Sequence, residues 1–260
     1  MKPLYHHAIA ESIGSTETEV MATDRPLCVI VGAGEGLGVS LARAFAHDGN
    51  DLILIGRSVE GVTKAREAAQ DAGANVEAVQ ADARDAGAIA AALGPRGGEA
   101  EILVYNPRGA STFKLPLEVT AAELTDVLAL EVVGALAAAQ AVLPGMLVRG
   151  RGTIIFSSAT AALRGAGRNL LYAAGKFGLR GMAQSLAKAY ASKGVHVAHV
   201  RLDCALDVPV IKKMMGAQYN REKTADPDDV AKSYVWVHHQ PRSAWSNEIE
   251  LRPFTEDWTF

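Results

Sequence analysis

Tyr172 and Lys176 have the spacing that would let two polar side chains move a proton together. On a helix, residues four apart share a face, so the phenol hydroxyl and the ammonium can act on each other. A nearby ammonium favours the ionised phenolate, which lets the phenol exchange protons closer to neutral pH than a free tyrosine does. The alternative is an exposed helix pair that contributes only a few tenths of a kcal/mol. The order of elements around the pair favours the chemical interpretation.

A glycine-rich turn lies far upstream of this pair. Gly32, Gly36 and Gly38 follow the pattern G-x-x-x-G-x-G, with Leu37 between the last two. Glycine permits a tight turn and lets backbone N–H groups approach a pyrophosphate at a helix N-terminus, where the helix dipole favours negative charge. The alternative is a tight strand-to-helix turn without a ligand. Because a β-rich run precedes the turn and a helical pattern follows it, we predict a dinucleotide site.

The elements that must position these residues alternate between strand and helix along the chain. Short β-rich runs predict strands, and apolar periodicity predicts helices. The predicted strands are 27–31, 52–55, 76–80, 102–105, 153–156, 195–202 and 246–251; the predicted helices include 37–47, 59–72, 86–93, 121–147 and 172–192. This alternation predicts an α/β fold with a doubly wound parallel sheet of about seven strands and helices on both faces.

Length and composition favour one compact domain. The 260 residues are 49% hydrophobic, which is enough for a substantial core. We place the domain at residues 26–260, after a mostly polar N-terminal tail at 1–25. Within that tail Met21 is an alternative start, and the rival interpretation is a segment that docks on a neighbouring subunit.

Charge and cysteine content limit which partners and which cellular compartment we expect. The net charge of −3 gives no general attraction to nucleic acid or to anionic membranes, so we expect a small-molecule substrate. The longest apolar run, 127–147, is interrupted by Glu131 and Gln140, and we interpret it as a buried helix and not a membrane span. Cys28 and Cys204 lie in apolar, strand-like segments, which predicts free thiols and a cytoplasmic protein.

The seven histidines do not suggest a metal site. His196 and His199 would point to opposite faces of one strand, and His238 and His239 are adjacent in the chain. We therefore predict that no metal is bound.

With the glycine turn, Asn106 after the fourth strand, the paired serines Ser157 and Ser158, and Tyr172 with Lys176, the chain resembles the short-chain dehydrogenase/reductase family over about residues 27–251. The resemblance implies a single-domain Rossmann fold that binds NAD or NADP. It also implies that the Tyr172 hydroxyl exchanges a proton with a carbonyl or alcohol during hydride transfer. Lys176 would also bind the nicotinamide ribose. It further implies a homodimer or homotetramer that forms through the two long predicted helices, 121–147 and 172–192.

The same alignment assigns residues to the adenosine half of the cofactor. Asp82, followed by Ala83, matches the family's adenine-contacting carboxylate, and Asn106 matches the asparagine near the adenosine ribose. After the second strand the chain carries Arg57, with no carboxylate to bind two ribose hydroxyls. Arg57 can pair with a 2′-phosphate, which favours NADP(H) over NAD(H). Against NADP(H) stands Glu35, because NADP-binding relatives often carry a basic residue at that place.

The resemblance implies a serine that holds the substrate oxygen, but its position in this sequence is uncertain by one residue. Ser158 is the nearest side chain that fits. The family's usual spacing between the serine and the tyrosine, counted back from Tyr172, instead reaches Ala159. Ser158 can take the serine's place only if the loop between it and Tyr172 holds one extra residue. Thr160 is the substitute candidate. The alternative is that these hydroxyls only satisfy backbone groups at the end of the strand.

Relatives place an asparagine in a proton relay where this chain has Glu131. A carboxylate among apolar residues is costly when it is buried without a partner, and Lys176 is the obvious partner. We hypothesise that Glu131 replaces the asparagine in the relay; the alternative is a partly exposed helix residue.

Several other residues depart from the family pattern. Arg108 stands where the family has glycine, Asp203 and Cys204 replace a Pro-Gly turn, and Val208 replaces a threonine that would contact the carboxamide. The leading prediction is an NADP(H)-dependent enzyme that interconverts a carbonyl and an alcohol. The alternative is a nucleotide-binding relative without redox turnover, either a regulator or a non-redox biosynthetic enzyme.

Two further features concern the substrate. Arg108, Arg164 and Arg168 fall in loops at the predicted ligand edge of the sheet, where they would either recognise an anionic substrate or remain solvated. Residues 208–225 are a candidate lid with an apolar face, although its apolar side chains could equally pack inside the fold.

Overall fold

The computed structural model describes residues 25–109 and 113–255. Seven parallel strands form one sheet in the order β3-β2-β1-β4-β5-β6-β9, which confirms the predicted doubly wound architecture. The strands of this sheet are β1 Leu27–Val31, β2 Asp51–Gly56, β3 Val76–Gln80, β4 Ala100–Tyr105, β5 Gly152–Ala159, β6 Val195–Leu202 and β9 Glu248–Leu251.

The predicted tail lies outside the described residues except for Arg25. The Arg25 guanidinium donates to the carbonyl oxygens of Ala46 at 2.9 Å, Gly49 at 3.1 Å and Gly73 at 2.8 Å. These carbonyls belong to the ends of the first two helices. These bonds tie Arg25 to the fold.

Helices cover both faces of the sheet. They are α1 Leu37–His47, α2 Thr63–Asp71, α3 Ala86–Leu93, α4 Ala121–Leu128, α5 Gly134–Arg149, α6 Leu170–Tyr190, α7 Pro209–Met215 and α8 Pro227–His238. Strand β1 shows why its sequence is apolar throughout. Leu27, Val29 and Val31 pack on the side of α3, α5 and α6, whereas Cys28 and Ile30 pack on the side of α1, α2 and α8. A strand that is buried on both faces has no polar alternation.

The predicted long helix at 121–147 is interrupted. A π-helical turn, Ala129–Val133, separates α4 from α5. By length and hydropathy the segment Ala121–Arg149 could cross a membrane, with a mean hydropathy of 1.9 over its most apolar window, but 50% of that window is buried in the fold. Such burial is typical of a core helix, and π-helical turns often occur at functional sites.

The segment predicted as a lid contains helix α7 between two short strands. Strand β7, Ala205–Leu206, pairs in parallel with β8, Thr224–Ala225, and so closes the base of the segment. Cys204 lies in the bend before β7 and not in a strand, which corrects the sequence interpretation. Both Cys28 and Cys204 are free thiols.

One buried histidine makes stability depend on pH. His199 on β6 is fully buried, and neither ring nitrogen has a hydrogen-bond partner among the described residues. Burial lowers its pKa to about 4. Because the unfolded chain binds the proton near pH 6.5 and the folded chain does not, stability falls as the pH drops from 6.5 towards 4. At pH 5 the loss should be about 2 kcal/mol.

Urea unfolding at pH 7 and pH 5 measures this loss. His199→Leu should lose clearly less stability on acidification than the wild-type protein, because the group that resists protonation is gone. The exposed His47 supplies a control, His47→Leu, which should keep the full loss. Equal losses in His199→Leu and wild type would contradict the prediction.

Candidate active site

A cleft of about 800 Å³ opens at the carboxyl edge of the sheet. It lies where the strand order reverses between β1 and β4, which is where ligands bind in open α/β folds. Most of the predicted site residues line this cleft. They are Gly32, Gly36, Leu37, Gly38, Arg57, Asp82, Ala83, Asn106, Ser158, Tyr172 and Lys176. The fold therefore brings together the glycine turn and the proton-moving pair, which are distant in sequence.

The glycines of the turn serve different purposes. Gly32 has a φ of +83°, and a Cβ there would lie 2.6 Å from the backbone N of Pro107. A Cβ on Gly38 would lie 2.6 Å from the carbonyl carbon of Ala33, so this glycine lets α1 pack against the turn. Gly34 and Gly36 instead face open space, because a Cβ on either would meet no atom within 4 Å. The turn thus offers open backbone at the start of α1, which fits a pyrophosphate.

The end of the cleft next to β2 carries an exposed cation. Arg57 is exposed at the end of β2, and none of the described residues pairs with it. Asp82 is held in place, because its Oδ1 accepts the backbone N–H of Arg84 at 3.0 Å. Arg84 in turn pairs with Asp126 at 2.7 Å. A 2′-phosphate next to Arg57 would therefore meet a guanidinium that no carboxylate of residues 25–109 and 113–255 neutralises.

The carboxylate that stood against NADP(H) is neutralised by a neighbour. Glu35 Oε1 lies 3.0 Å from Lys64 Nζ, and both side chains are exposed. The sequence shows these residues on separate elements, so the pair becomes visible only in the fold. With Lys64 beside it, Glu35 is not an isolated negative charge.

Asn106 joins β4 to the glycine turn. Its Nδ2 donates to the carbonyl oxygen of Gly32 at 3.1 Å, and its backbone N–H donates to Val31 at 2.8 Å. These bonds fix the turn that faces the cleft.

The pair predicted to move a proton lies on α6, with Tyr172 half-buried and Lys176 buried. Lys176 Nζ is 5.7 Å from the centroid of the Tyr172 ring. The ammonium donates to the carbonyl oxygen of Ser157 at 3.2 Å, which fixes its position at the end of β5. Both side chains line the cleft.

Hydrogen bonding distinguishes three neighbouring hydroxyls at the end of β5, of which Ser158 and Thr160 are the predicted candidates. Ser157 Oγ lies 2.8 Å from the Tyr234 hydroxyl, and the Thr160 hydroxyl donates to Asp203. Ser158 is buried, lines the cleft, and its Oγ has no partner within the described part of the chain. Of the three hydroxyls, only that of Ser158 is thus left without a partner among the described residues. Tyr234, which binds the other serine, gave no signal in the sequence.

Glu131 is buried and paired with Lys176. Its Oε2 lies 2.8 Å from Lys176 Nζ, and its side chain is only 2% exposed, so the alternative of a partly exposed residue is wrong. The π-helical turn presents this carboxylate. In that turn the Leu130 carbonyl accepts a hydrogen bond from the Tyr105 hydroxyl. Gly134 permits the close approach, because a Cβ there would lie 2.7 Å from the same hydroxyl.

A second cavity of about 330 Å³ lies beside the cleft. Tyr172 lines both cavities, whereas Lys176 lines the cleft and Glu131 lines the second cavity. The ion pair therefore bridges the two spaces. Two carboxylates near the surface, Glu123 and Asp126, also line the second cavity.

The departures from the family pattern have structural roles. Asp203 accepts hydrogen bonds from Thr160 and from Arg252, and so ties together the ends of β5, β6 and β9. Val208 lines the cleft at the start of α7 and brings no hydroxyl there.

The predicted lid and the three loop arginines are placed differently around the cleft. Val210 and Met214 on α7 line the cleft with exposed apolar side chains. Arg108 also lines the cleft, whereas Arg164 and Arg168 do not. Arg168 instead donates to the Phe113 carbonyl at 3.3 Å.

Comparisons with known proteins agree with this geometry. A family model described as short chain dehydrogenase matches residues 27–208. An uncharacterized oxidoreductase of Staphylococcus epidermidis is 25% identical over 230 residues, covering 87% of this chain and 96% of that protein. Glycine betaine reductase of Emericella nidulans is 27% identical over 245 residues, covering 88% of this chain but only 19% of that protein. The chain thus spans about a fifth of the fungal relative's length.

Solved structures show the same similarity. A short-chain dehydrogenase from Rhodopseudomonas palustris is 29% identical, with a TM-score of 0.75, and the match covers 88% of this chain and 99% of that one. A metagenomic short-chain oxidoreductase in complex with NADP is 25% identical, with a TM-score of 0.74, and the match covers 88% and 97% of the two chains.

Proposed function

The chain belongs to the short-chain dehydrogenase family and is an oxidoreductase of that family, and we propose that it uses NADP(H) to interconvert a carbonyl and an alcohol on a small organic substrate. One observation carries the proposal: Tyr172, Lys176 and the unpartnered Ser158 hydroxyl line the same cleft as the open glycine turn. A proton donor, a cation and a hydrogen-bond donor thus meet beside a place for a nicotinamide nucleotide.

In this proposal the nicotinamide supplies or accepts the hydride, and the chain manages the proton. In the reductive direction Ser158 Oγ donates a hydrogen bond to the substrate oxygen, and the Tyr172 hydroxyl gives that oxygen its proton. Lys176 stabilises the resulting phenolate. Glu131 contacts the Lys176 ammonium from the other side, so it can help return a proton from the second cavity to Tyr172. Oxidation of an alcohol reverses these transfers.

The preference for NADP(H) rests on Arg57 and on the pairing of Glu35 with Lys64. The relative that was solved in complex with NADP supports the same cofactor. Asp82, Ala83 and Asn106 would surround the adenosine, and Lys176 would also bind the nicotinamide ribose.

Fluorescence titration with NADPH and NADH tests the cofactor. Arg57→Ala should weaken NADPH binding by roughly 10- to 100-fold, because charge-assisted hydrogen bonds to the 2′-phosphate are lost. NADH binding should change by less than about threefold, since NADH lacks that phosphate.

Arg66→Ala is the matched control, because it removes a nearby positive charge on α2 that does not line the cleft. It should leave both affinities unchanged. Equal loss of NADPH and NADH affinity in Arg57→Ala would contradict selective recognition of the phosphate.

The assembly and the compartment are also proposals. The apolar side chains of Val133, Leu136 and Phe177 are exposed on the long helices, which supports a homodimer or homotetramer built through them. The free thiols and the net charge of −3 support a cytoplasmic enzyme that acts on a small molecule, without nucleic acid or membrane as a partner.

A further inference from the structure

Three potential metal ligands converge at the edge of the sheet opposite the cleft. Asp48 directly follows α1, His238 ends α8, and His239 comes next. One ligand atom from each lies within 4.8 Å of the others. The chain sequence alone shows only two adjacent histidines, because Asp48 lies 191 residues before His239. The packing of α1 against α8 adds the third group.

Neighbouring side chains orient two of these groups. His238 Nδ1 lies 2.9 Å from the hydroxyl of Thr153, a buried residue at the start of β5. This bond leaves Nε2 as the His238 atom that can bind a metal, and metal-binding histidines commonly hold their other ring nitrogen in this way. Asp48 Oδ2 accepts a hydrogen bond from Asn50 Nδ2 at 3.3 Å.

An ion pair alone does not account for the arrangement. His239 Nε2 lies 2.8 Å and 2.9 Å from the two Asp48 oxygens, and an exposed pair of this kind contributes little to stability. It would not need a second imidazole, whose ring centre lies 4.8 Å from that of His239. Two imidazoles next to a carboxylate form a donor set for a divalent cation.

We propose that Asp48, His238 and His239 bind a divalent transition-metal ion, best matched by Zn²⁺, which joins the C-terminal ends of α1 and α8. Two imidazole nitrogens and one carboxylate oxygen suit zinc, and water would complete its coordination. Asp48 and His239 are in contact before the metal enters, so the ion would replace their mutual contact and bind both. Because the site lies at the opposite edge from the cleft, its role is to hold the two helices together.

The test uses the full chain without an affinity tag, dialysed against a chelator. His6 and His7 lie outside the described residues and can also bind zinc, so the background for every variant is His6→Ala/His7→Ala. Calorimetric titration with ZnCl₂ should show one equivalent bound with a micromolar or lower Kd. Saturating Zn²⁺ should also raise the Tm by about 5 °C.

Variants separate the cluster from nonspecific binding. His239→Ala removes an exposed ligand with little risk to folding, and Asp48→Asn keeps the size of the side chain; each should weaken binding at least tenfold and abolish the rise in Tm. His47→Ala is the matched control, because His47 is exposed and adjacent to Asp48 but outside the cluster. It should bind Zn²⁺ as the background does.

Cobalt substitution gives a second readout. One equivalent of Co²⁺ should produce visible absorption that Zn²⁺ displaces, and His239→Ala should lose it. The proposal is overturned if the background protein binds no Zn²⁺ at 1 mM, about a thousandfold above a micromolar Kd. It is also overturned if His239→Ala and Asp48→Asn bind as tightly as His47→Ala. None of these readouts uses catalysis, so the result is independent of the proposed function.

Discussion

Tyr172→Phe should lower kcat at least 100-fold while NADPH binding changes far less. The substitution removes only the hydroxyl, which is the proposed proton donor, and general acid catalysis typically contributes 10²- to 10⁴-fold. The ring keeps its place beside Lys176, so the cleft should keep its shape. NADPH absorbance, followed across a panel of carbonyl compounds, identifies a substrate for the wild-type protein and then compares the variant with it.

Tyr190→Phe is the matched control, because Tyr190 ends the same helix and does not line the cleft. It should turn over at the wild-type rate. A Tyr172→Phe enzyme that keeps more than a tenth of wild-type kcat would contradict the assigned role. A wild-type protein that binds NADPH but consumes none with any carbonyl would contradict redox function, and would favour the nucleotide-binding alternative.

The fold could be predicted well because buried parallel strands have simple sequences. β1 is apolar on both faces, β6 contributes apolar residues to both sides of the sheet, and the predicted bounds of both strands agree with the structure. β5 continues beyond its predicted end, through the two serines to Ala159. Ser157 and Ser158 pair with β6 in the same way as the apolar residues of β5 before them. Because their side chains are polar, the sequence pattern did not show that the strand continues through them. Tyr234 satisfies the buried Ser157 hydroxyl, and this contact joins residues 77 apart in the chain.

The site could be predicted where local spacing determines it. Residues four apart on a helix share a face, so Tyr172 and Lys176 could be paired from sequence. The choice among the hydroxyls could not, because it depends on Tyr234 and Asp203 in distant elements. The pairing of Glu35 with Lys64 was hidden for the same reason.

Glu131 shows how far the sequence reaches. Apolar neighbours in the sequence predicted that its carboxylate would need a partner, a proton or water if buried, with Lys176 as the obvious partner, and the structure places Lys176 next to it. The π-helical turn was not predicted, because the spacing of apolar residues does not reveal which backbone carbonyl departs from the α-helical hydrogen-bond pattern. Here Tyr105 binds the Leu130 carbonyl, and Gly134 leaves room for the contact.

Glu131→Gln should lower kcat by about tenfold or more and change its dependence on pH. Glutamine keeps an oxygen that can accept a hydrogen bond from Lys176, but it cannot carry a proton between the second cavity and the lysine. If this transfer becomes rate-limiting, the solvent deuterium isotope effect on kcat should rise. Steady-state rates from pH 5 to 10, in H₂O and D₂O, measure both effects.

The control must separate the loss of a relay from the loss of a buried ion pair, which by itself destabilises a fold. Glu248→Gln provides it. Glu248 pairs at 2.8 Å with Arg180, one turn beyond Lys176 on α6, and does not line the cleft. The Arg180 guanidinium holds the pKa of Glu248 at about 2, so this carboxylate does not titrate in the assay range. Glu248→Gln should lower the urea midpoint yet keep the wild-type pH profile and isotope effect. If Glu131→Gln behaves in the same way, its carboxylate supports the fold and takes no part in the relay.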